Sequence, residues 1–336
     1  GVDCSDHEVN LKILLSQAVG DGDLTRKQRD QLLLTMADAV CAQVLASNDA
    51  QNETLTTAVA QAPDMVDAYQ RQMAVLAREG GLDRQLEALP SDAELDSRHG
   101  HRGGLARPEL AVLLAFTKNL LAERLEASAL PSDRSFDDLL LSYFPSQVGE
   151  QFRDLALQHP LRDELVATVV ANRLVDRGGI SMVHRLIGET SATVEDIARA
   201  ATAAWRIYDL DSLWNAIAEL GVDVPGETRT ELQLDVKRLG ERATRWLLRN
   251  EEQPIEIDAV VAAYSDPIRS LEKIDADDVD GRPDSERERI DQLMDQGVPE
   301  DLARRVDGTG PAFGFLELTQ LAGLSLIHIS EPTRLQ

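Results

Sequence analysis

The sequence predicts an all-α protein, an irregular assembly of many packed helices, and three observations predict it. Apolar residues recur at helical spacing along nearly the whole chain. Alternating, β-branched strand patterns are scarce. Aromatic residues make up 4% of the 336 residues against 43% hydrophobic, so the cores should be aliphatic, with Leu, Val and Ala packed ridge into groove.

The elements follow in order. Ser5 and Glu8 have the form of a capping box, in which a side-chain oxygen satisfies a free helix N–H and the Glu reciprocates, ahead of a helix over 6–19. Gly20-Asp21-Gly22-Asp23 breaks the chain, and Thr25 with Gln28 opens a second helix whose apolar stripe is Leu33, Met36, Ala37, Val40 and Val44. A third is predicted over 64–79. After the break at 100–104, Pro108 sits where a first turn tolerates a missing N–H, and Leu110, Leu113, Leu114, Leu121 and Leu125 form the next stripe. Further helices are predicted over 161–176, closed by Gly178-Gly179, and over 194–207, 226–250, 285–296 and 299–306. Pro225 and Pro254 read as first-turn prolines, and the acidic run from Asp275 to Asp284 as a connection. Gly308-Thr309-Gly310-Pro311-Ala312-Phe313-Gly314 superficially suggests a nucleotide loop. No strand precedes it and Pro311 removes a phosphate-binding N–H, so it reads as a linker.

Composition narrows the partners. With 34 basic against 59 acidic residues, a net charge of −25, the chain repels phosphate backbones and anionic lipid, which argues against nucleic acid and membrane surfaces. Cys4 and Cys41 are the only cysteines, so there is no disulfide framework and no paired metal-ligand spacing, and a reducing cytoplasm fits. No apolar run approaches the roughly 20 residues that span a bilayer, and no signal peptide opens the chain. With Gly1 in place of methionine, the chain is expected to be a fragment. The segment Leu324-Ser325-Leu326-Ile327-His328-Ile329-Ser330-Glu331-Pro332-Thr333-Arg334 resembles the in-frame translation of a transposon-end sequencing adapter, so residues 324–336 are set aside as a non-native tail.

Several blocks, in one order, carry a family resemblance. They are Gly1-Val2-Asp3-Cys4-Ser5-Asp6-His7-Glu8-Val9-Asn10, Leu86-Glu87-Ala88-Leu89-Pro90-Ser91-Asp92, Arg107-Pro108-Glu109-Leu110-Ala111-Val112-Leu113-Leu114-Ala115, Tyr143-Phe144-Pro145, His159-Pro160-Leu161-Arg162 and Glu241-Arg242-Ala243-Thr244-Arg245-Trp246-Leu247-Leu248-Arg249. Together they resemble the C-terminal region of the large bacterial NAD-specific glutamate dehydrogenases. The resemblance implies that residues 1–48 are the C-terminal tail of a Rossmann-type, NAD-binding catalytic domain and that 49–323 form a helical accessory domain. It also implies that Val2 lines the pocket for the aliphatic stem of L-glutamate and that the Ser5 hydroxyl binds its side-chain carboxylate. A helix N-terminus, with its free N–H groups and positive dipole end, suits that anion. The competing reading leaves Ser5 as a cap only. Catalytic residues and the NAD fold would lie upstream in the same polypeptide, so the fragment would be inactive alone, serving assembly of a homo-oligomer or regulation of glutamate and 2-oxoglutarate turnover.

Other candidates are weighed on their own residues. His99 and His101 could supply two metal ligands, yet nothing nearby completes a set, and a solvated loop is the plainer reading. His7 is expected at a surface or cleft edge, and Cys4 as a small buried residue. Arg242, Arg245 and Arg249 fall on one helix face, which could seat an acidic domain or subunit with Trp246 as a buried anchor, or pair locally with Glu241, Glu251 and Glu252. A stand-alone, non-enzymatic helical interaction protein is the alternative to the dehydrogenase reading.

Overall fold

The computed structural model describes residues 2–277 and 284–330, with side chains over 4–273 and 286–322. Every regular element among them is helical, and the chain divides into two compact units, residues 1–185 and 186–336.

In the first unit α1 (Val2–Gly20) buries Leu11, Leu14, Leu15 and Ala18 and packs on α2 (Arg26–Gln61) as a helical hairpin. The turn between them needs Gly22 at φ +87°, and the Thr25 box forms: Gln28 N–H donates to Thr25 Oγ1 at 3.3 Å while Thr25 N–H donates back to Gln28 Oε1 at 2.8 Å. Within the stripe expected on α2, Met36, Val40 and Val44 are buried, Leu33 is half-buried and Ala37 is exposed. The helix runs unbroken through residue 48, where the sequence suggested a domain boundary. It is followed by α3 (Val66–Glu79), which buries Tyr69, Met73 and Leu76, and by α4 (Asp92–His99), opened by a Ser91/Glu94 capping box.

The middle of this unit is the packing of α5 (Arg107–Glu126) on a later helix. All five leucines of the expected stripe on α5 are buried. Between them come three short helices, α6 (Asp137–Leu141), α7 (Ser146–Gln151) and α8 (Arg153–Leu157). The partner is α9 (Arg162–Gly178), whose buried face is Leu165, Val166, Val170, Leu174 and Val175. Within this packing Lys118 Nζ is 2.8 Å from Asp176 Oδ1, with both side chains 12% exposed. Replacing Lys118 with methionine removes a cation from beside a carboxylate held largely out of water. The expected loss is about 2–3 kcal/mol, somewhat less than for a fully dry pair. Urea denaturation measures it, and adding Asp176→Asn should recover most of the loss.

Helix α10 (Met182–Thr190) leads to α11 (Val194–Ile207), where Ala198, Ala200, Ala201, Ala203 and Ala204 are buried. Small side chains let neighbouring helices approach closely, and α11 packs on both α13 (Gly226–Asn250) and α14 (Ile257–Asp277), with α12 (Leu210–Ala218) beside α13. The unit ends with α15 (Asp284–Asp295), α16 (Glu300–Asp307), α17 (Thr309–Ala312) and α18 (Gly314–Ser330).

Three expectations change. Pro254 lies in the connection before α14, after a cis peptide bond, and Pro225 occupies the N-cap position of α13. The segment expected as a linker at 308–314 holds the turn α17, packed through Thr309 Oγ1 on the Val306 carbonyl at 2.6 Å and the Tyr208 hydroxyl on the Ala312 carbonyl at 3.0 Å. The tail set aside from 324 continues α18 as far as Ser330. The acidic connection expected from Asp275 to Asp284 falls largely outside the described residues.

Candidate functional site

The sequence placed its sharpest functional expectation at the start of α1. The helix is already formed at Val2, so Ser5 is inside its first turns and not at the N-cap. Glu8 does not close a box with it but pairs with Lys12 at 2.6 Å, one turn on. Ser5 is exposed, and the side chain of Val2 lies outside the described residues.

The opposite face of α1 is buried, and there the helix meets a polar seat. His7, expected at an edge, is buried and stacks on the Tyr143 ring with centroids 4.2 Å apart and planes at 13°. Asn10 Nδ2 donates to the Tyr143 hydroxyl at 2.9 Å. His159 Nε2 donates to the Asn10 carbonyl at 3.1 Å, and the Leu161 N–H donates to His159 Nδ1 at 3.1 Å. The second bond fixes the tautomer, because Nδ1 accepts only when it carries no proton. From α2, Gln43 Nε2 donates to the carbonyls of Ser142 and Phe144, each at 3.0 Å. Phe144 is buried edge-on to Tyr143 at 5.1 Å. Arg162, the first residue of α9, holds Asp137 at 2.8 Å and the Pro131 carbonyl. Cys4, expected to be buried, is partly exposed, and Cys41 is exposed.

Burial holds His159 below the ordinary imidazole value near 6.5, against smaller opposing pulls from the Asn10 carbonyl and Glu164. The cleft beside it is lined by Glu126, Arg162, Asp163 and Glu164. The unfolded chain binds the proton more readily than the folded one, so stability is full above about pH 6.5 and declines as pH falls toward the lowered folded value. Denaturation midpoints measured between about pH 7.5 and 5.5 should show this fall, with a shallower slope in His159→Gln.

The arginine face of α13 is not brought together as one patch. Arg245 is spent internally, on Glu189 at 2.5 Å and Glu241 at 2.7 Å. Arg242 lies over the Phe313 ring, 4.1 Å from its centroid. Trp246 is buried edge-to-face against Tyr264 at 5.8 Å, and Arg249 is exposed. The Tyr264 hydroxyl donates to Glu251 at 2.6 Å, so that carboxylate is engaged away from the arginines. His99 and His101 are also apart in role, with Nδ1 atoms 2.9 Å from the carbonyls of Pro63 and Ser97 respectively. Among the described residues no group of three His, Cys, Asp or Glu side chains could hold a metal ion. A cavity of about 350 Å³ in the second unit is lined by Tyr208, Asp209, Glu272, Arg305 and Phe315 among others, and burial pushes the Glu272 carboxyl up.

Sequence reasoning missed Asn10 and Gln43 and did not group Tyr143 with His159. Their partners lie 99 to 149 residues away, which no local pattern reveals. The available signal was that Tyr143 and His159 both belong to blocks carrying the resemblance.

The described residues form an all-helical body with a polar seat built around its first helix. Residues 102–335 match the family model "Glutamate dehydrogenase, C-terminal", and residues 1–58 match "Bacterial NAD-glutamate dehydrogenase, catalytic domain". The chain belongs to the glutamate dehydrogenase C-terminal family. It is 38% identical over 323 residues to the NAD-specific glutamate dehydrogenase of Halomonas elongata, covering 96% of this chain and 20% of that protein. Against the enzyme of the same name from Pseudomonas aeruginosa it is 38% identical over 327 residues, 97% and 20% of the two chains. For the one from Mycobacterium tuberculosis the figures are 37% over 307 residues, 91% and 19%. The chain thus spans about a fifth of the length of the curated relatives it matches. Among the described residues no helix is long and apolar enough to cross a membrane.

Proposed function

We propose that this chain is the C-terminal part of an NAD-specific glutamate dehydrogenase, a cytoplasmic homo-oligomer that converts L-glutamate, NAD⁺ and water to 2-oxoglutarate, ammonium and NADH with release of a proton. The observation that carries the reading is the order of the two family matches, catalytic domain over 1–58 and C-terminal region over 102–335. Residues 1–48 close the dehydrogenase domain, 49–323 form the helical accessory part serving assembly or regulation, and 324–336 are not native. Hydride transfer belongs to the upstream part, where the oxidised cofactor accepts it. The glycine-containing segment 308–314 does not fit a dinucleotide, since the Gly308 and Ala312 N–H groups already donate to the Arg304 and Gly308 carbonyls and Pro311 has no N–H to offer.

What this chain supplies to the reaction is substrate recognition at the start of α1. The exposed Ser5 hydroxyl donates to the side-chain carboxylate of glutamate, near a helix end whose dipole favours an anion, and Val2 covers the aliphatic stem. Arg249 and Arg242, on the outer face of α13, remain the residues of that helix placed to meet an acidic neighbour in the oligomer, while Arg245 and Trp246 support them from within.

The test uses the whole reading frame that contains this chain. NADH formation from L-glutamate is expected, and Ser5→Ala should raise KM for glutamate roughly tenfold, the order lost with one hydrogen bond to a charged group, with KM for NAD unchanged. A whole protein that folds yet forms no NADH from glutamate would contradict the reading.

A further inference from the structure

We propose that Tyr143 and His159 are positioning residues for the substrate-facing edge of the dehydrogenase domain. From the region matched by the C-terminal model they fix the rotation and axial place of α1, and with it the place of Ser5. The inference rests on the reading above and assigns a task to the first part of the accessory region.

The aliphatic seat of α1 cannot do this alone. Leu11, Leu14, Leu15 and Ala18 are buried, but apolar contacts are non-directional and tolerate small slides and rotations. Hydrogen bonds carry distance and angle requirements that such shifts violate. Asn10 makes two of them: its side-chain Nδ2 donates to the Tyr143 hydroxyl, and its main-chain carbonyl accepts from His159. A side-chain contact fixes rotation about the helix axis, and a contact to the helix backbone fixes position along it. Asn10 is five residues from Ser5, about 140° around the helix at 3.6 residues per turn, so holding Asn10 inward holds Ser5 outward. The stack of His7 on Tyr143 at 4.2 Å adds a second contact near Ser5.

The opposing side is held as well. Gln43 clamps the Ser142 and Phe144 carbonyls on either side of Tyr143, and the Leu161 N–H orients the His159 ring. Asn10 and Gln43 both lie in the stretch matched by the catalytic-domain model, whereas Tyr143 and His159 lie in the stretch matched by the C-terminal one. The bonds of Asn10 to Tyr143 and His159, and that of Gln43 to Phe144, join these two stretches and are partly or largely buried. Such a network specifies one arrangement in a way that leucine packing does not.

The experiment uses the whole enzyme. Tyr143→Phe keeps the ring stack and removes only the hydroxyl. It should raise KM for glutamate at least about fivefold while KM for NAD and the circular dichroism spectrum stay as in the wild type. His159→Ala should act alike, and His159→Gln, which retains an N–H donor, should restore part of the loss. Leu125→Ala, in the α5 core and touching none of these groups by hydrogen bond, should lower the denaturation midpoint without moving KM for glutamate. A KM for glutamate within about twofold of wild type in both Tyr143→Phe and His159→Ala overturns the proposal, as does an equal rise in Leu125→Ala. Wild-type enzyme without NAD-dependent glutamate oxidation would instead remove the underlying reading, and this proposal with it.

Discussion

Replacing Gly104 with alanine should lower the stability of the first unit by about 4 kcal/mol or more, beyond the usual range for overpacking. A Cβ built on Gly104 would lie 2.3 Å from the Ala62 carbonyl oxygen, 2.4 Å from its carbonyl carbon and 2.9 Å from its Cβ. The obstacle is main chain, which cannot rotate aside as a side chain would. Ala62 follows the last residue of α2 and begins the single 3-10 turn that leads into α3. Gly104 stands just ahead of α5, so the two helical layers are spaced at this point by the absence of a side chain. Relief requires the α4–α5 loop to move off the α2–α3 corner. Urea denaturation of the whole chain should show an early transition, and hydrogen exchange should rise first around 62–66 and 103–110. A Gly104→Ala chain with an unchanged midpoint would show that the corner is far softer than the close approach implies.

Replacing Trp205 with alanine should cost about 3–5 kcal/mol in the second unit. Trp205 is 2% exposed, lies edge-to-face on Trp214 at 5.7 Å and fills the space between α11 and α13. The fit depends on Gly240, where an added Cβ would meet Trp205 Nε1 at 3.0 Å and Leu210 Cδ1 at 3.1 Å. The alanines around the indole on α11 are too small to collapse into the space it leaves. Calorimetry should show a lowered midpoint and, in the near ultraviolet, loss of the dichroism that coupled indoles produce. Trp205→Phe should recover part of both.

Both sites show what was readable in advance. The stripe on α5 and the spans of α11 and α13 were legible because long amphipathic segments write their buried face into the sequence at a 3.6-residue period. Helices α6, α7 and α8 span five or six residues each, less than two turns, and leave no period to detect. Helix α14 is harder to read from the sequence, since Pro267 lies inside it, a residue that ordinarily argues against a helix interior. Gly104 and Gly240 read as a loop break and an unremarked helix residue, since close approach depends on what the chain brings opposite. The candidate site divides in the same way. Ser5 and Val2 were singled out by resemblance, whereas the buried seat under α1 is made by residues more than a hundred positions apart that only the fold unites.

The unbroken course of α2 has a mechanical consequence. Its 36 residues make a strut about 54 Å long. Its middle carries Gln43 on the Tyr143 loop, and further along the same helix the Thr54 hydroxyl donates to the Asp176 carbonyl at 2.9 Å on α9. Bending such a strut breaks successive backbone hydrogen bonds, so it transmits displacement instead of absorbing it. A polypeptide cut near residue 48 would part these two anchor points of one continuous helix, and the two pieces would not behave as separable modules.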